Sequence, residues 1–452
     1  MNRFTVLPDL PAEYPTHASI GPEHLAEWRI SETGNRHPML PKAESGRQPK
    51  QHRSHVTRER IAHATIQLLG EIGEAGLTHR DVAARAQVPL AATTYHYASK
   101  FDLLEHASSV LLDDYVTRFR GFVSRQAALT SGRVAFDQFL VDLLRNAVGR
   151  ERLRSIAWCE IMLISARNDS SRTLATAWYA KLREIWTDIA ALLGADSEPL
   201  SVQATIDRTI GLLFISLSLG LTPDEVSACL STGLDIPAAV PPPDASTAPE
   251  EAAKRSKGRE TREHLLNAAI QLMASHGAGA VTGRSVASQA GVAPAVPSYY
   301  FKPVSTLIHA ARERLYEAAK ARYRESVSGI DLATASLDQI ADLTTATLTR
   351  EITQFSDFNL ATLAVEVEAA RQPMLRPMVG QWISDRSRAW LRLLAKFNAD
   401  ASTANGLLIS GLFTGMQIRL LATGAGVAAL SELRPTFMAA FNMLGYAGRP
   451  AE

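Results

Sequence analysis

The stretch "TRERIAHATIQLL" at 57–69 returns as "TREHLLNAAIQLM" at 261–273, 204 positions further on. The likeness continues at that offset without a gap: "GLTHRDVAARAQVPLAATTYHYASKFDLL" (76–104) lies over "AVTGRSVASQAGVAPAVPSYYFKPVSTLI" (280–308). Gly73/Gly277, Thr78/Thr282, Arg80/Arg284, Val82/Val286, Ala86/Ala290 and Tyr95/Tyr299 are among the identical pairs. A gapless match over about fifty residues marks a repeated unit, and a period this long makes the unit a domain rather than one turn of a solenoid. Whatever fold one half adopts, the other must adopt as well.

Hydrophobic periodicity says which fold. From 57, Ile61, Ala64/Thr65, Leu68 and Ile72 recur at helical spacing, with Gly73 as a stop. Thr78 is placed to cap a short helix running to Ala86, its hydroxyl accepting from an orphan backbone N–H. Pro89 opens a second short helix to about Tyr97, and a longer one begins near Lys100. Further helices are expected at 133–147, 151–168, 172–194, 201–220 and 223–234, then, after the second short-helix set, at 305–327, 335–350, 355–370, 376–398, 403–421 and 429–444. No strand-like alternation stands out, so the expected class is all-α. The expected division is a disordered tail over 1–50, a first helix-turn-helix domain over 51–105 and its helical body over 106–235, a Pro/Ala linker over 236–256, then a second helix-turn-helix domain over 257–309 with its body over 310–446.

Two short helices joined by a tight turn behind a packing helix have one well-understood use: the second short helix enters the DNA major groove. In the first copy that helix is "PLAATTYHY". Pro89 opens this DNA-binding helix, Leu90, Ala91 and Ala92 offer apolar contacts to base edges, and Thr93, Thr94, Tyr95 and His96, with Lys100 beyond, are expected to reach phosphates. Arg80, beside Thr78 and His79 at the start of the preceding helix, is the candidate for a bidentate guanine contact. The second copy supplies Thr282, Arg284, Pro294, Ala295, Val296, Ser298, Tyr299, Tyr300 and Lys302. Basic runs precede both copies, Lys50, His52, Arg53 and His55 in one and Lys254, Arg255, Lys257 and Arg259 in the other. They read either as solvated tails or as arms following the DNA backbone.

With these residues in hand, "AARAQVPLAATTYHYASKFDLL" resembles the signature of the TetR family of bacterial repressors, and "ASQAGVAPAVPSYYFKPVSTLI" resembles a second copy. The resemblance implies that the residues at Arg80 and Arg284 read guanine, that Leu90–Ala92 and Pro294–Val296 face bases, and that Thr94, Tyr95, His96 and Lys100 lie near phosphate. It also implies a two-fold pairing through the last two helices of each unit, here 201–220 with 223–234 and 403–421 with 429–444. Gln87 stands where the family turn carries glycine, whereas Gly291 keeps it; Val304 replaces the lysine, with Lys302 nearby; and Pro297 weakens the second reading helix. Finally, the resemblance implies an effector cavity in each body. Trp158, Met162, Trp178 and Trp186 are candidates to line one, and Phe355, Phe358, Met378, Trp382 and Trp390 the other, for an apolar or aromatic molecule. Core packing is the alternative use of such residues, and Glu160 and Glu366 are expected at the surface.

Composition narrows the rest. Lys and Arg total 47 against 46 Asp and Glu, so a nucleic-acid surface has to be a local patch. Two cysteines in unrelated contexts offer no disulfide or metal framework, and no metal or cofactor is expected. The N-terminus lacks an apolar secretory run, and the longest apolar runs, 210–221 and 406–418, fall short of the ~20 residues of a membrane helix, so a cytoplasmic location is expected. No HExxH, phosphate-cradling glycine loop or Ser/His/Asp order appears, which speaks against an enzyme. The reading is a sequence-specific DNA-binding regulator, a repressor released by a small molecule, with two fused units paired within one chain. The alternative is a ligand- or protein-binding module with one or both DNA heads degenerate.

Overall fold

The computed structural model describes residues 50–234, 252–331, 334–397, 401–424 and 426–446. All regular structure among them is helical. The tail expected over 1–50 and most of the linker expected over 236–256 lie outside the described residues. Two boundaries move. The first helix, α1 (Lys50–Gly76), starts ahead of the 57 expected, and α10 (Ala252–His276) starts inside the expected linker. Both basic runs therefore sit on the leading turns of helices rather than on extended arms.

The first half continues with α2 (His79–Ala86), α3 (Leu90–His96), α4 (Lys100–Ala127), α5 (Phe136–Val148), α6 (Arg152–Arg167), α7 (Arg172–Leu192), α8 (Pro199–Leu219) and α9 (Pro223–Thr232). The second half repeats the order after α10 with α11 (Gly283–Gln289), α12 (Val296–Tyr300), α13 (Val304–Val327), α14 (Leu337–Thr353), α15 (Ser356–Arg371), α16 (Arg376–Leu394) and α17 (Thr403–Thr423). Helices α6 and α15, α7 and α16, and α8 and α17 begin 204 residues apart, so the offset of the opening motif holds through the bodies. The ends are written locally. Ser99 and Asp102 form a capping box at α4, Ser336 and Gln339 another at α14, and α8 runs from a first-turn proline to Gly220 in the left-handed region (φ 69°). The last expected helix, 429–444, is instead two pieces, α18 (Val427–Ser431) and α19 (Leu433–Met443). Pro435 in the first turn of α19 has no N–H to give and would clash with the carbonyl four residues back, so a continuous helix stops there.

The two halves meet along α8 and α17. Glycines let these backbones nearly touch: a Cβ on Gly211 would fall 1.8 Å from the Gly411 carbonyl oxygen, and one on Gly415 would fall 1.7 Å from that of Asp207. Within this seam Arg419 Nε donates to both carboxylate oxygens of Asp207, at 2.9 and 3.0 Å. Leu212 and Phe214 on α8, and Leu412 and Phe413 on α17, are buried. Helix α19 adds to the seam against α8, and α9 against α17.

Other contacts between the halves recur with the roles exchanged. Arg167, at the end of α6, donates to the Ala274 carbonyl on α10; its counterpart Arg371, at the end of α15, reaches the Leu69 carbonyl on α1 at 3.4 Å. Arg376 packs on Gly220, and Arg172 packs on Gly424. The supporting charges differ: Arg167 pairs with Glu74 at 2.9 Å, whereas Arg371 pairs with Glu160 and, at 2.8 Å, with Glu368.

Two sequence expectations are corrected here. Glu160 and Glu366 are buried (5% and 0% exposed), the first neutralised by Arg371 and the second 3.3 Å from Arg386. The apolar runs that looked too short to cross a membrane belong to 21-residue helices, α8 and α17, which are long and apolar enough to do so. Their most apolar windows are 83% and 89% buried, largely against each other, which accounts for the apolarity.

Candidate nucleic-acid interface

In the first head, Thr78 caps α2 by accepting from the Asp81 N–H at 3.2 Å, which sets the helix start and leaves Arg80 exposed in its first turn. His79 lies alongside, half-buried, with its Nδ1 buried and unpaired. The turn then needs one residue at positive φ, a place that usually takes glycine. Gln87 fills it (φ 53°, ψ 46°), and Arg60 clamps it by donating to the Gln87 carbonyl at 2.9 Å. Val88 N–H bonds back to the Ala83 carbonyl at 3.0 Å, closing the turn ahead of α3.

Helix α3 is a short amphipath with a hard division of labour. Thr93 (0% exposed) and Tyr97 (4%), four residues apart, face inward. On the outer face Pro89, Leu90, Ala91, Thr94 and Tyr95 are exposed, with the Tyr95 ring 84% exposed; Ala92 and His96 are half-buried. A bare tyrosine ring at the tip of a short helix is unusual for core-forming chemistry and suited to an external contact. Its edge packs on His96, ring centroids 5.0 Å apart.

Two assignments change. Thr93, expected at a phosphate, is wholly buried, its hydroxyl donating to the Leu90 carbonyl at 2.8 Å, so it anchors the helix instead. Lys100 is half-buried and its ammonium donates to the Glu74 carbonyl at 2.6 Å, tying α4 to the end of α1; to reach a phosphate it must give up that bond.

The second head keeps the plan with a shorter reader. Thr282 caps α11 with Ser285, and Arg284 is exposed beside it. Gly291 takes the positive-φ place (φ 62°), and His264 contacts the Ala290 carbonyl at 2.9 Å, at the position of Arg60. Pro297, which has no N–H to give, is buried where Thr93 is, and Val296 N–H bonds to the Ala293 carbonyl at 2.9 Å as Ala92 N–H does to that of Pro89 at 2.8 Å. Helix α12 has five residues against seven in α3, and Pro294, expected in its first turn, lies in the turn before it. Tyr299 is 78% exposed, matching Tyr95, and Phe301 is buried like Tyr97, under the Arg262 guanidinium. Ala295, Ser298 and Lys302 are exposed, and Val296 and Tyr300 half-buried.

The aromatic residues expected to line effector cavities are packed. Trp178 Nε1 donates to Ser108 at 3.0 Å, and Trp186 Nε1 to the Tyr115 hydroxyl at 2.6 Å. Trp158 meets Trp178 and Phe214 edge-on, with Met162 fully buried. Trp382 stacks on Tyr316, and Trp390 abuts Phe413. Phe355 and Phe358 cover the Arg322 guanidinium, which pairs with Glu351 at 2.8 Å, and Met378 packs half-buried against the core. The described cleft of ≈ 470 Å³ lies elsewhere, where α10 meets α6, α15 and α17, and none of the nine lines it.

Sequence reasoning missed the residues that join the two halves: Arg167 and Arg371, which tie each body to the opposite head, Arg152, and the pair Asp207 and Arg419 between the bodies. A signal existed for some of them. Arg167/Arg371 and Arg172/Arg376 are identical at the same offset as the reading motif.

Comparison with known proteins agrees with this architecture. The domain family described as "Tetracyclin repressor-like, C-terminal domain" matches residues 131–235 and again 335–442. A protein of Xanthobacter autotrophicus named as an uncharacterized HTH-type transcriptional regulator in the dhlA 5′ region is 30% identical over 152 residues, covering 33% of this chain and 72% of that protein. The HTH-type transcriptional regulator UidR of Escherichia coli strain K12 is 24% identical over 167 residues, 37% of this chain and 79% of its own length, and UidR of Shigella flexneri matches equally.

Proposed function

The chain belongs to the TetR-like family of HTH-type transcriptional regulators, and from that premise we propose that it is two such subunits fused in tandem, paired within one chain and binding one DNA operator through two heads. The observation that carries this reading is the exchange of roles between the halves at a constant offset: Arg167 on α10 answers Arg371 on α1, and Arg172 on Gly424 answers Arg376 on Gly220. Such reciprocity is what a two-fold pairing of like subunits produces. Two reading helices presented by a two-fold pair suit half-sites about 34–36 Å apart. Because the heads differ in sequence, the operator need not be a palindrome.

Within this proposal Arg80 and Arg284 read base edges, Leu90–Ala92 and Pro294–Val296 lie against bases, and Tyr95 and Tyr299 pack on the backbone. Regulation is by repression, relieved when a small effector shifts the bodies and with them the heads. The shorter α12 favours a second reading in which the second head adds little affinity. The work is done on chromosomal DNA, in the cytoplasm, and involves no catalysis.

Selection of bound duplexes from genomic fragments, followed by light scattering of the complex on the minimal operator, tests the proposal. One chain per operator with two distinct half-sites is expected. Two chains joined through α8 and α17, or an absence of sequence preference, overturns it.

A further inference from the structure

The halves differ at one junction in a way that leaves a vacancy of defined chemistry. On one side, Arg152 in the first turn of α6 donates to the Ala370 carbonyl at 2.9 Å and reaches the Leu217 carbonyl at 3.5 Å, both in the last turns of their helices, α15 and α8. Beside it the Leu153 backbone presses onto α1, where a Cβ on Gly70 would fall 2.5 Å from the Leu153 oxygen. On the other side, the counterparts of Arg152, Leu153 and Gly70 are Ser356, Asp357 and Ala274. The arginine side chain is gone, Ala274 carries a methyl group where Gly70 has none, and the ≈ 470 Å³ cleft lies there, with Ser356 and Ala274 in its wall. Its wall includes Ala166 and Leu421, the counterparts of the residues whose carbonyls receive the Arg152 guanidinium.

We propose that this cleft binds a small organic cation whose guanidinium, amidinium or ammonium head takes the place that Arg152 fills on the opposite side. The two helix C-termini bring carbonyl acceptors and the negative ends of their dipoles. Asp357, standing where the other side has leucine, adds a carboxylate at the exposed edge. Ile352, Leu360 and Leu420 form an apolar floor for the body of the ligand. The volume falls in the ~300–1,000 Å³ range of small-molecule sites. The neighbouring arginines do not bar a cation. Arg167 is committed to Glu74 and the Ala274 carbonyl, and Arg172 lies 2.9 Å from Asp169; on the twin side Arg152 coexists with their counterparts Arg371, which Glu160 and Glu368 neutralise, and Arg376. Since α10 forms one wall, an occupant touches the first helix of the second head directly. The cleft is thus an effector site acting on one head, separate from the packed interiors of the bodies.

Benzamidine, an aromatic ring bearing an amidinium, is the probe, titrated into the full chain by ligand-observed NMR. One saturable site per chain is expected. Affinity should fall at least tenfold in Ser356→Arg, which restores the missing side chain, and at least threefold in Asp357→Asn. Neutral benzamide should bind at least tenfold more weakly than benzamidine. Cooperative unfolding verifies the fold of Ser356→Arg, and Asp357→Asn, at an exposed position, gives an independent reading should the first variant misfold. No saturable binding, unchanged affinity in the folded Ser356→Arg or in Asp357→Asn, or equal binding of benzamide overturns the proposal. Its effect on the second head rests on the DNA-binding reading above. Benzamidine should change operator affinity at least threefold more in Tyr95→Ala, where the second head dominates, than in Tyr299→Ala; equal changes in the two variants refute that effect. If neither variant binds DNA, the DNA-binding reading fails while the NMR titration still decides the site.

Discussion

Asp207 and Arg419 meet across the seam between the halves, Nη2 to Oδ2 at 2.9 Å, with Asp207 fully buried and Arg419 6% exposed. The counterparts of these residues are Gly411 and Ile215, so the ion pair forms on only one side of the seam. Pairing a first half with another first half would bury Asp207 against isoleucine, and pairing two second halves would bury Arg419 against glycine. The pair therefore favours joining a first half to a second half. A buried ion pair contributes little net stability but costs about 3–5 kcal/mol to break from one side. Asp207→Leu should lose stability on that scale in urea denaturation, and Asp207→Leu combined with Arg419→Met should lose clearly less. A double variant no better than the single one would refute the pairing role. Light scattering should also find more chain-to-chain association in the double variant, because mispairing is no longer penalised.

Glycine makes the same seam possible. At Gly211 an added methyl group meets the Gly411 backbone, which cannot rotate away, so α8 and α17 must separate. Gly211→Ala should cost at least the ~1–3 kcal/mol typical of overpacking. The contrast is Gly121→Ala on α4, where the nearest group is the flexible end of Arg125 at 3.3 Å and helix propensity gains up to about 1 kcal/mol. Thermal unfolding of the two variants should move in opposite directions; equal small shifts would mean that the close crossing is not needed.

The two reading helices should not contribute equally. Helix α12 is shorter than α3, and Pro297 replaces the Thr93 that bonds within its own helix. Tyr95→Ala should therefore weaken operator binding more than Tyr299→Ala at matched salt. Arg80→Ala should cost about 1–3 kcal/mol on the best site and relax preference at one base pair. Equal losses from the two tyrosines would refute the asymmetry, and an unaltered base preference would remove Arg80 from the reading face.

The repeat, the all-helical class and the capped start of α2 were legible because each rests on local patterns: an offset, a 3.6-residue period, a cap. Thr93 was misplaced because its spacing from Tyr97 was not weighed; the two sit four apart and share the inner face. Glu160 and Glu366 were read as surface residues because their partners, Arg371 and Arg386, are distant in sequence, and a buried carboxylate is recognisable only beside its cation. The packing of Trp178 and Trp186 was equally hidden, since their hydrogen-bond partners Ser108 and Tyr115 lie on α4, some seventy residues away. Arg167 and Arg371 stand at the repeat offset, but the contact they share is with backbone carbonyls, those of Ala274 and Leu69, which carry no sequence signal.

The first head has a tyrosine–histidine contact that the second lacks. Tyr97 OH and His106 Nδ1 are 2.6 Å apart beneath α3, where the second head has Phe301 and Ala310. Burial, and then the nearby Arg58, holds the His106 imidazole below its ordinary value. A base whose folded value is depressed stabilises the fold above its unfolded value, near 6.5, and that contribution is lost as pH falls through this value toward the lower folded one. Acidification from neutral pH to about 5.5 should therefore loosen the first head more than the second. Copying the second head with Tyr97→Phe and His106→Ala removes the titrating group while leaving every other histidine in place. The fall in Tm between pH 7.5 and pH 5.5 should be smaller in that double variant than in the parent chain. The same fall in both would show that His106 is not the group that responds.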